Sequence, residues 1–342
     1  TIRFIAVMIV ALIISAANIH PVLKFLISVT AMFLAAEDFV RSSARIGRIL
    51  GLPSFVIGAT LCSLGTSGPE IFSGIPAVVN SQTELVWNNL IGSNITNICC
   101  VMVAATFLNK ELKFDFNSIR VDLIFLLTST LLPILVLRDR SFTFLEGLFL
   151  VFLYLIYLEY SLSRYGLRAA IKTILGASKL VSNSKSKRLK RLTSLKWRLV
   201  SLSVKAGLAI VCMYLAGTAT NASLLEVADI VGIGGGEAAR GGLSLVTSLT
   251  ELSAVIYAVI RQQPAMGVGT VIGSNIINTL LISGLCRFWG PIVVPVSLDI
   301  AVLFLVISNA FLFVPRKSLD SWDASILGVI YLLFLANTFG FT

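Results

Sequence analysis

The sequence predicts an all-α polytopic membrane protein: two inverted five-helix repeats making a ten-helix core, with an extra N-terminal helix ahead of them. Three observations carry that reading. The 342 residues are 56% apolar and only 13% charged, with a mean hydropathy of +0.93, whereas a soluble domain is about 45–50% apolar and about 25% charged. About eleven apolar runs approach or exceed the roughly 20 residues that a bilayer core of about 30 Å requires. The chain also aligns with itself at an offset of 181 residues. The composition excludes a disordered chain, a nucleic-acid-binding module and an ordinary soluble enzyme.

The runs fall at 4–19, 22–40, 53–80, 85–108, 119–137, 141–162, 199–220, 237–261, 265–286, 292–314 and 324–341. Residues 1–21 read as the extra membrane helix, although Arg3, the apolar stretch after it and Ser15-Ala16-Ala17 also fit a signal sequence. Residues 22–163 form the first repeat and 199–342 the second. Between them, 164–198 carries eleven basic residues and no acidic one, an excess comparable to the whole net charge of +10. Placing this loop in the cytoplasm and alternating sides puts 22 Lys and Arg inside and 5 outside, as the positive-inside rule requires. The expected home is a plasma or inner cell membrane. Arg164, Arg168 and Lys172 form a stripe opposite Leu167, Ile171 and Leu175, an amphipathic pattern suited to the inner leaflet. Lys185, Lys187, Arg188, Lys190 and Arg191 suit anionic lipid, with plain topogenesis as the competing reading. The five cysteines lack metal-type spacing and read as small core residues, and the single histidine, His20, offers no basis for a His-ligated metal.

The repeat is densest where the polar residues lie. Ser63-Leu64-Gly65-Thr66-Ser67-Gly68-Pro69-Glu70 aligns with Ser244-Leu245-Val246-Thr247-Ser248-Leu249-Thr250-Glu251, and Ile91-Gly92-Ser93-Asn94-Ile95-Thr96-Asn97 with Ile272-Gly273-Ser274-Asn275-Ile276-Ile277-Asn278. From Ser63 to Ile98 there are 15 identities in 36 positions; farther on, Asp139 meets Asp320 and Gly147 meets Gly328. The chain crosses the membrane five times between Glu70 and Glu251, so the two copies face opposite ways, the architecture of secondary transporters.

On a helix, Ser63, Thr66, Ser67 and Glu70 share one face, as do Ser244, Thr247, Ser248 and Glu251; Ser93 with Asn97, and Ser274 with Asn278, lie one turn apart. These groups offer only oxygen for ligation, which suits hard cations such as Ca²⁺, Mg²⁺ or Na⁺. A carboxylate at a membrane helix centre costs about 2.5–3.5 kcal/mol on insertion scales. Two in equivalent positions, with no Lys or Arg in their helix cores, point to a cation as the balancing charge. Pro69 frees the Gly65 carbonyl, while Thr250, its counterpart, can bond back to the Val246 or Thr247 carbonyl. Single Ser, Thr and Asn residues of this kind also serve helix packing. Asp122, Asp299, Glu37 and Asp38 are expected to act as interfacial caps, and Glu237 with Arg240 as a structural pair.

At these residues the sequence resembles the calcium/cation antiporter superfamily, its sodium/calcium exchanger branch in particular. Gly65-Thr66-Ser67-Gly68-Pro69-Glu70 matches that family's G-T-S-x-P-E motif in full, and Gly92-Ser93-Asn94 with Asn97 its G-S-N-x-x-N form. The second copy matches in part, through Thr247-Ser248 with Glu251 and Gly273-Ser274-Asn275 with Asn278. The resemblance implies alternating access, calcium held by Glu70 and Glu251 with the Thr66 and Thr247 carbonyls, and sodium sites lined by Ser67, Ser248, Ser93, Ser274, Asn97 and Asn278. It implies antiport of Ca²⁺ against Na⁺, with Ca²⁺/H⁺ exchange through the same glutamates as the alternative. No cofactor is expected, since the ions are cargo, and the partners are inorganic cations and lipid, not nucleic acid. Three departures stand out: Val246 and Thr250 replace the family Gly and Pro, Asn278 stands where potassium-dependent members have Asp, and Thr270 replaces an Asn that the first copy keeps as Asn89. No enzyme is expected. Gly65-Thr66-Ser67-Gly68 reads as G-x-S-G, but a serine hydrolase needs a base beside the serine and the repeat duplicates none. A cation channel shares the residue chemistry and differs by conducting without a counter-ion.

Overall fold

A computed structural model describes residues 20–114, 116–139, 141–163, 186–233, 237–295, 298–315 and 317–340. These residues form ten helical spans in two sets of five. In the first set, α1 is Pro21–Ile49. Span α2 runs through Ser54–Val56, the π-helical Ile57–Cys62, Ser63–Thr66 and, after a break at Ser67, Gly68–Val79. Span α3 joins Glu84–Thr96, the π-helical Asn97–Val101 and Met102–Asn109, and is followed by α4 (Phe116–Asp139) and α5 (Phe144–Ser163). In the second set, α6 is Ser186–Val231, and α7 runs through the π-helical Ala238–Leu243, Ser244–Thr247 and, after Ser248, Leu249–Ile260. Span α8 joins Pro264–Ile276, the π-helical Ile277–Ile282 and Ser283–Arg287, and is followed by α9 (Leu298–Leu312) and α10 (Ser321–Thr338). Among the described residues, six spans are long and apolar enough on their own to cross a membrane. The extra helix expected at 1–21, and the stripe of Arg164, Arg168 and Lys172, lie outside the described residues.

The 181-residue offset recurs in the backbone. Helix α1 ends at Gly51 (φ +74°) with Leu52 N–H bonded to the Gly47 carbonyl; α6 ends at Gly232 (φ +77°) with Ile233 N–H bonded to that of Ala228. In both, glycine takes the left-handed conformation that closes a helix C-terminus. The turn after α2 places Ser81 at φ +60°, and the turn after α7 places Gln262 at φ +56°. Asp139 and Asp320 each accept from the backbone N–H two residues on, from Ser141 (3.0 Å) and Trp322 (2.8 Å); Asp320 thereby caps α10, whereas Asp139 turns the chain at the end of α4 and α5 takes Thr143 as its cap.

Four short strands join the halves across each end of the bundle. Strand β1 (Glu111–Lys113) pairs antiparallel with β4 (Ser318–Asp320), and β2 (Ser141–Phe142) with β3 (Ile292–Val293). Under the repeat β1 corresponds to β3, yet each pairs with a strand of the other half, as two inverted copies require. Leu112, Leu319, Phe142 and Ile292 are buried beneath them. The interior spans are α8 and α3, with 89% and 78% of their apolar windows buried; α5 and α10, at 28% each, face outward with Leu145, Phe149 and Leu332 exposed. Of the five free cysteines, all but the half-buried Cys100 are buried, as expected of small core residues.

Several expectations need correction. Helices α1 and α6 outrun their apolar segments, α1 through Arg41, Arg45 and Arg48, and α6 through Glu226 and Asp229. Val40, Ala44, Gly47 and Ala228 keep a buried stripe running to those ends while most of the charges stay exposed. Asp122 is no interfacial cap: it is buried in α4 and accepts a hydrogen bond from the Tyr157 hydroxyl at 3.2 Å. Nor is Glu37, which pairs with Arg41 one turn along α1.

Candidate cation-binding site

Both α2 and α7 break one residue after the motif threonine. Ser67 (φ −79°, ψ 7°) leaves the helical region, Ser248 (φ −68°, ψ −6°) stays at its edge, and a new helical segment starts behind each. The break puts Glu70 and Glu251 in the first turns of the new segments, both with no exposed surface. Free N–H groups and the positive end of the helix dipole lie there, which partly offsets the cost of a buried carboxylate. The bend forms in the second half without proline: Thr250 bonds back to the Thr247 carbonyl at 2.8 Å. Val246 takes the place of Gly65, which lies under the ring of Phe39; the counterpart of Phe39 under the repeat is the smaller Thr220.

Glycine lets the broken spans meet their partners at backbone distance. A Cβ on Gly92 in α3 would fall on the Arg240 carbonyl and the Ser244 side chain of α7. One on Gly273 in α8 would fall on the Ala59 carbonyl and Ser63 Oγ of α2. These are one contact made twice, and both place the motif hydroxyls face to face. Thr66 Oγ1 lies 3.2 Å from Ser274 Oγ, and Ser93 Oγ lies 3.1 Å from Thr247 Oγ1.

Two asparagines that the sequence reading left unassigned, Asn94 and Asn275, knit α3 to α8. Asn94 Nδ2 donates to Thr279 Oγ1 (2.8 Å), and Asn275 Nδ2 to the Asn94 carbonyl (3.0 Å). Their side-chain oxygens accept from Nδ2 of Asn278 and Asn97, each at 3.0 Å. With their nitrogens tied back in this way, Asn97 and Asn278 keep buried Oδ1 atoms with no hydrogen-bond partner. The signal was available, since both residues are identical across the repeat.

The glutamates are not equivalent. Glu251 accepts from Ser67 Oγ (3.4 Å) and has Thr250 Oγ1 at 2.9 Å, whereas both oxygens of Glu70, and Ser248 Oγ, lack a partner. Glu70 lies beside Thr247 and Ser93 and within electrostatic reach of Glu251. Two carboxylates and several acceptor oxygens are therefore buried together without enough donors, an arrangement that a hard cation completes. All ten residues expected at the site are buried. Among the described residues no three His, Cys, Asp or Glu side chains converge, so such a cation would rest on hydroxyl, amide and backbone oxygen as well as carboxylate. Arg240, the expected partner of Glu237, feels that charge and also donates from Nε to Asn88 Oδ1 at 3.0 Å.

A cavity of about 280 Å³ leads from Glu70 past Ser73 and Asn89 to Asn80 and Gln82, at the end of the bundle that carries β2 and β3. Pro76, Asn80, Thr218 and Ala222 are among its lining residues. Their counterparts near Glu251 are Tyr257, Arg261, Glu37 and Arg41. There Arg41 pairs with Glu37, and the Arg41 and Arg261 guanidinium groups lie 5.8 and 5.5 Å from the Tyr257 ring centre.

The family model described as sodium/calcium exchanger protein matches residues 20–163 and 202–340. The chain belongs to the sodium/calcium exchanger family. It is 30% identical over 282 residues to the putative antiporter CaxA of Alkalimonas amylolytica, covering 81% of this chain and 82% of that one. The sodium/calcium exchanger MaX1 of Methanosarcina acetivorans is 33% identical over 110 residues, about a third of each chain. Among solved structures, the sodium-calcium exchanger NCX_Mj, soaked with Na⁺ and Sr²⁺, superposes with a TM-score of 0.70 at 22% identity, covering 94% of this chain and 99% of that one. The H⁺/Ca²⁺ exchanger CAX superposes at 0.75 and 18% identity, covering 98% and 87%. This exchanger is thus an integral membrane protein of a transporter family, with two inverted five-helix halves.

Proposed function

We propose that the protein exchanges Ca²⁺ for Na⁺ by alternating access. The observation that carries this reading is the set of buried oxygens without a hydrogen-bond partner: both carboxylate oxygens of Glu70, Ser248 Oγ, and the Oδ1 atoms of Asn97 and Asn278. Glu70 and Glu251, with the Thr66 and Thr247 carbonyls, take calcium. Ser67, Ser248, Ser93, Ser274, Asn97 and Asn278 supply the hydroxyl and amide oxygens that sodium uses. Both ions need the same two charges, so one leaves before the other is held, and a site emptied of both keeps two uncompensated buried carboxylates. That state is costly, which favours exchange over leak.

The test is labelled Ca²⁺ uptake into proteoliposomes loaded with Na⁺, beside choline-loaded vesicles at matched pH. Uptake is expected only with the outward Na⁺ gradient, and equal uptake in both would overturn sodium coupling. The superposition on an H⁺/Ca²⁺ exchanger supports a second reading, in which protons load the glutamates. Uptake driven by a pH gradient alone would establish it.

The orientation that fits is the one with the 164–198 loop in the cytoplasm of a plasma or inner cell membrane. Helix α6 starts at Ser186, so Lys187 to Arg191 form a helical basic segment ahead of the membrane. We propose that it meets anionic lipid, at about 1 kcal/mol per basic residue near the surface. Neutralising Lys185, Lys187, Arg188, Lys190 and Arg191 is expected to flatten the dependence of transport on anionic lipid content, and an unchanged dependence would refute the contact.

A further inference from the structure

Within the glutamate motif the two halves differ in chemistry at position 250: Pro69 in the first, Thr250 in the second. Thr250 does more than bend α7. Its single hydroxyl, wholly buried, lies 2.7 Å from the Thr66 carbonyl oxygen, 2.8 Å from the Thr247 carbonyl oxygen and 2.9 Å from Glu251 Oε2. The first of these belongs to the opposite half, so the hydroxyl bridges the two bends. One proton can serve one acceptor at a time. With Glu251 ionised, four oxygens are thus packed at hydrogen-bond distance around one shared hydrogen, and two of the contacts are oxygen against oxygen with nothing between them. Such a cluster is stabilised by a positive charge placed among its members.

We propose that the Thr250 hydroxyl is itself a cation ligand, an additional oxygen that a proline at this position cannot supply. The inference rests on the exchange reading above. With no cation bound, the hydroxyl proton lies toward Glu251. When the cation arrives it takes the Glu251 carboxylate, the hydroxyl turns its proton to the Thr66 or Thr247 carbonyl, and its lone pairs face the ion. The second half thereby supplies a carboxylate with a hydroxyl attached to the next residue, and the first half a carboxylate alone. The hydroxyl also holds Glu251 in place between ions, in contrast to the unpartnered Glu70.

The test measures Ca²⁺ binding to the full-length purified protein and Ca²⁺ uptake by it, in wild type and in Thr250→Val, Thr250→Ser and Thr250→Pro. Valine keeps the shape and removes the oxygen, and should weaken Ca²⁺ binding about tenfold, on the scale of a hydrogen-bonding group lost from a charged partner. Serine should hold affinity within about threefold, since it keeps the hydroxyl. Proline restores the residue of the first half, and is the decisive variant: if bending were the whole role of Thr250, affinity would be unchanged. Wild-type affinity in Thr250→Pro or Thr250→Val overturns the inference and leaves the exchange reading standing. Absence of Ca²⁺ binding to the wild-type protein removes both.

Discussion

Glu70→Gln is expected to abolish calcium transport while making the ion-free protein more stable. The amide has the shape of the carboxylate, so packing survives. It removes one of two negative charges and turns one oxygen into a donor that points at the cation. Oxygen cages change affinity by orders of magnitude with ligand charge, so a loss of at least about a hundredfold in Ca²⁺ affinity is expected. The stability effect runs the other way. Both Glu70 oxygens are buried without a partner, and removing an uncompensated buried charge relieves its desolvation cost. Melting curves in detergent should therefore show a higher Tm for Glu70→Gln than for wild type without ions. The rise in Tm that Ca²⁺ gives wild type by mass action should vanish. Wild-type uptake in the variant would remove Glu70 from the site.

The second large effect concerns stability. Gly273→Ala puts a methyl group where the Ala59 carbonyl and Ser63 Oγ already lie. A backbone atom cannot rotate away, so α2 and α8 must separate, and the Thr66–Ser274 contact opens with them. Overpacking that forces backbone to shift costs about 1–3 kcal/mol, and the upper end is expected here because the atom in the way is a carbonyl oxygen. Gly92→Ala, which meets the Arg240 carbonyl, should behave alike. Gly328→Ala is the control: nothing lies within 4 Å of its added methyl, and alanine in a helix gains up to about 1 kcal/mol over glycine. Size-exclusion profiles and melts of the three variants would separate the cases, and a Gly273→Ala protein as stable as wild type would show that the helices do not cross so closely.

Much of this architecture was legible in the sequence because the repeat displays itself twice. The paired glutamates, the Gly-Ser-Asn segments and the odd number of crossings all follow from one offset. What stayed hidden depends on contacts between residues far apart in the chain. Asn94 and Asn275 are visible as identities, yet their role appears only when each is found bonded to the other's helix. Thr250 could be read as a back-bonding residue, but its reach to the Thr66 carbonyl crosses the interface of the halves. The extra turns of α1 and α6 were missed because Arg41, Arg45, Glu226 and Asp229 lower the hydropathy of faces that never enter the packing. The strands β1 to β4 have two or three residues each, too few for an alternating pattern to register.

The cluster of Arg41, Glu37, Tyr257 and Arg261 has a consequence for direction. The candidate site residues follow the two-fold relation of the halves in sequence, Thr250 apart, but the residues flanking them do not. At four equivalent positions an ion meets Pro76, Asn80, Thr218 and Ala222 on one route. On the Glu251 side, where alternating access would open the second route, the same positions carry two positive charges and one negative. The field along that second route opposes a cation on its way in and speeds it on its way out, over distances comparable to the screening length of about 8 Å in physiological salt. An exchanger whose two approaches differ in charge in this way acquires rectification: its rates in the two directions diverge at low ionic strength and converge as added salt screens the arginines.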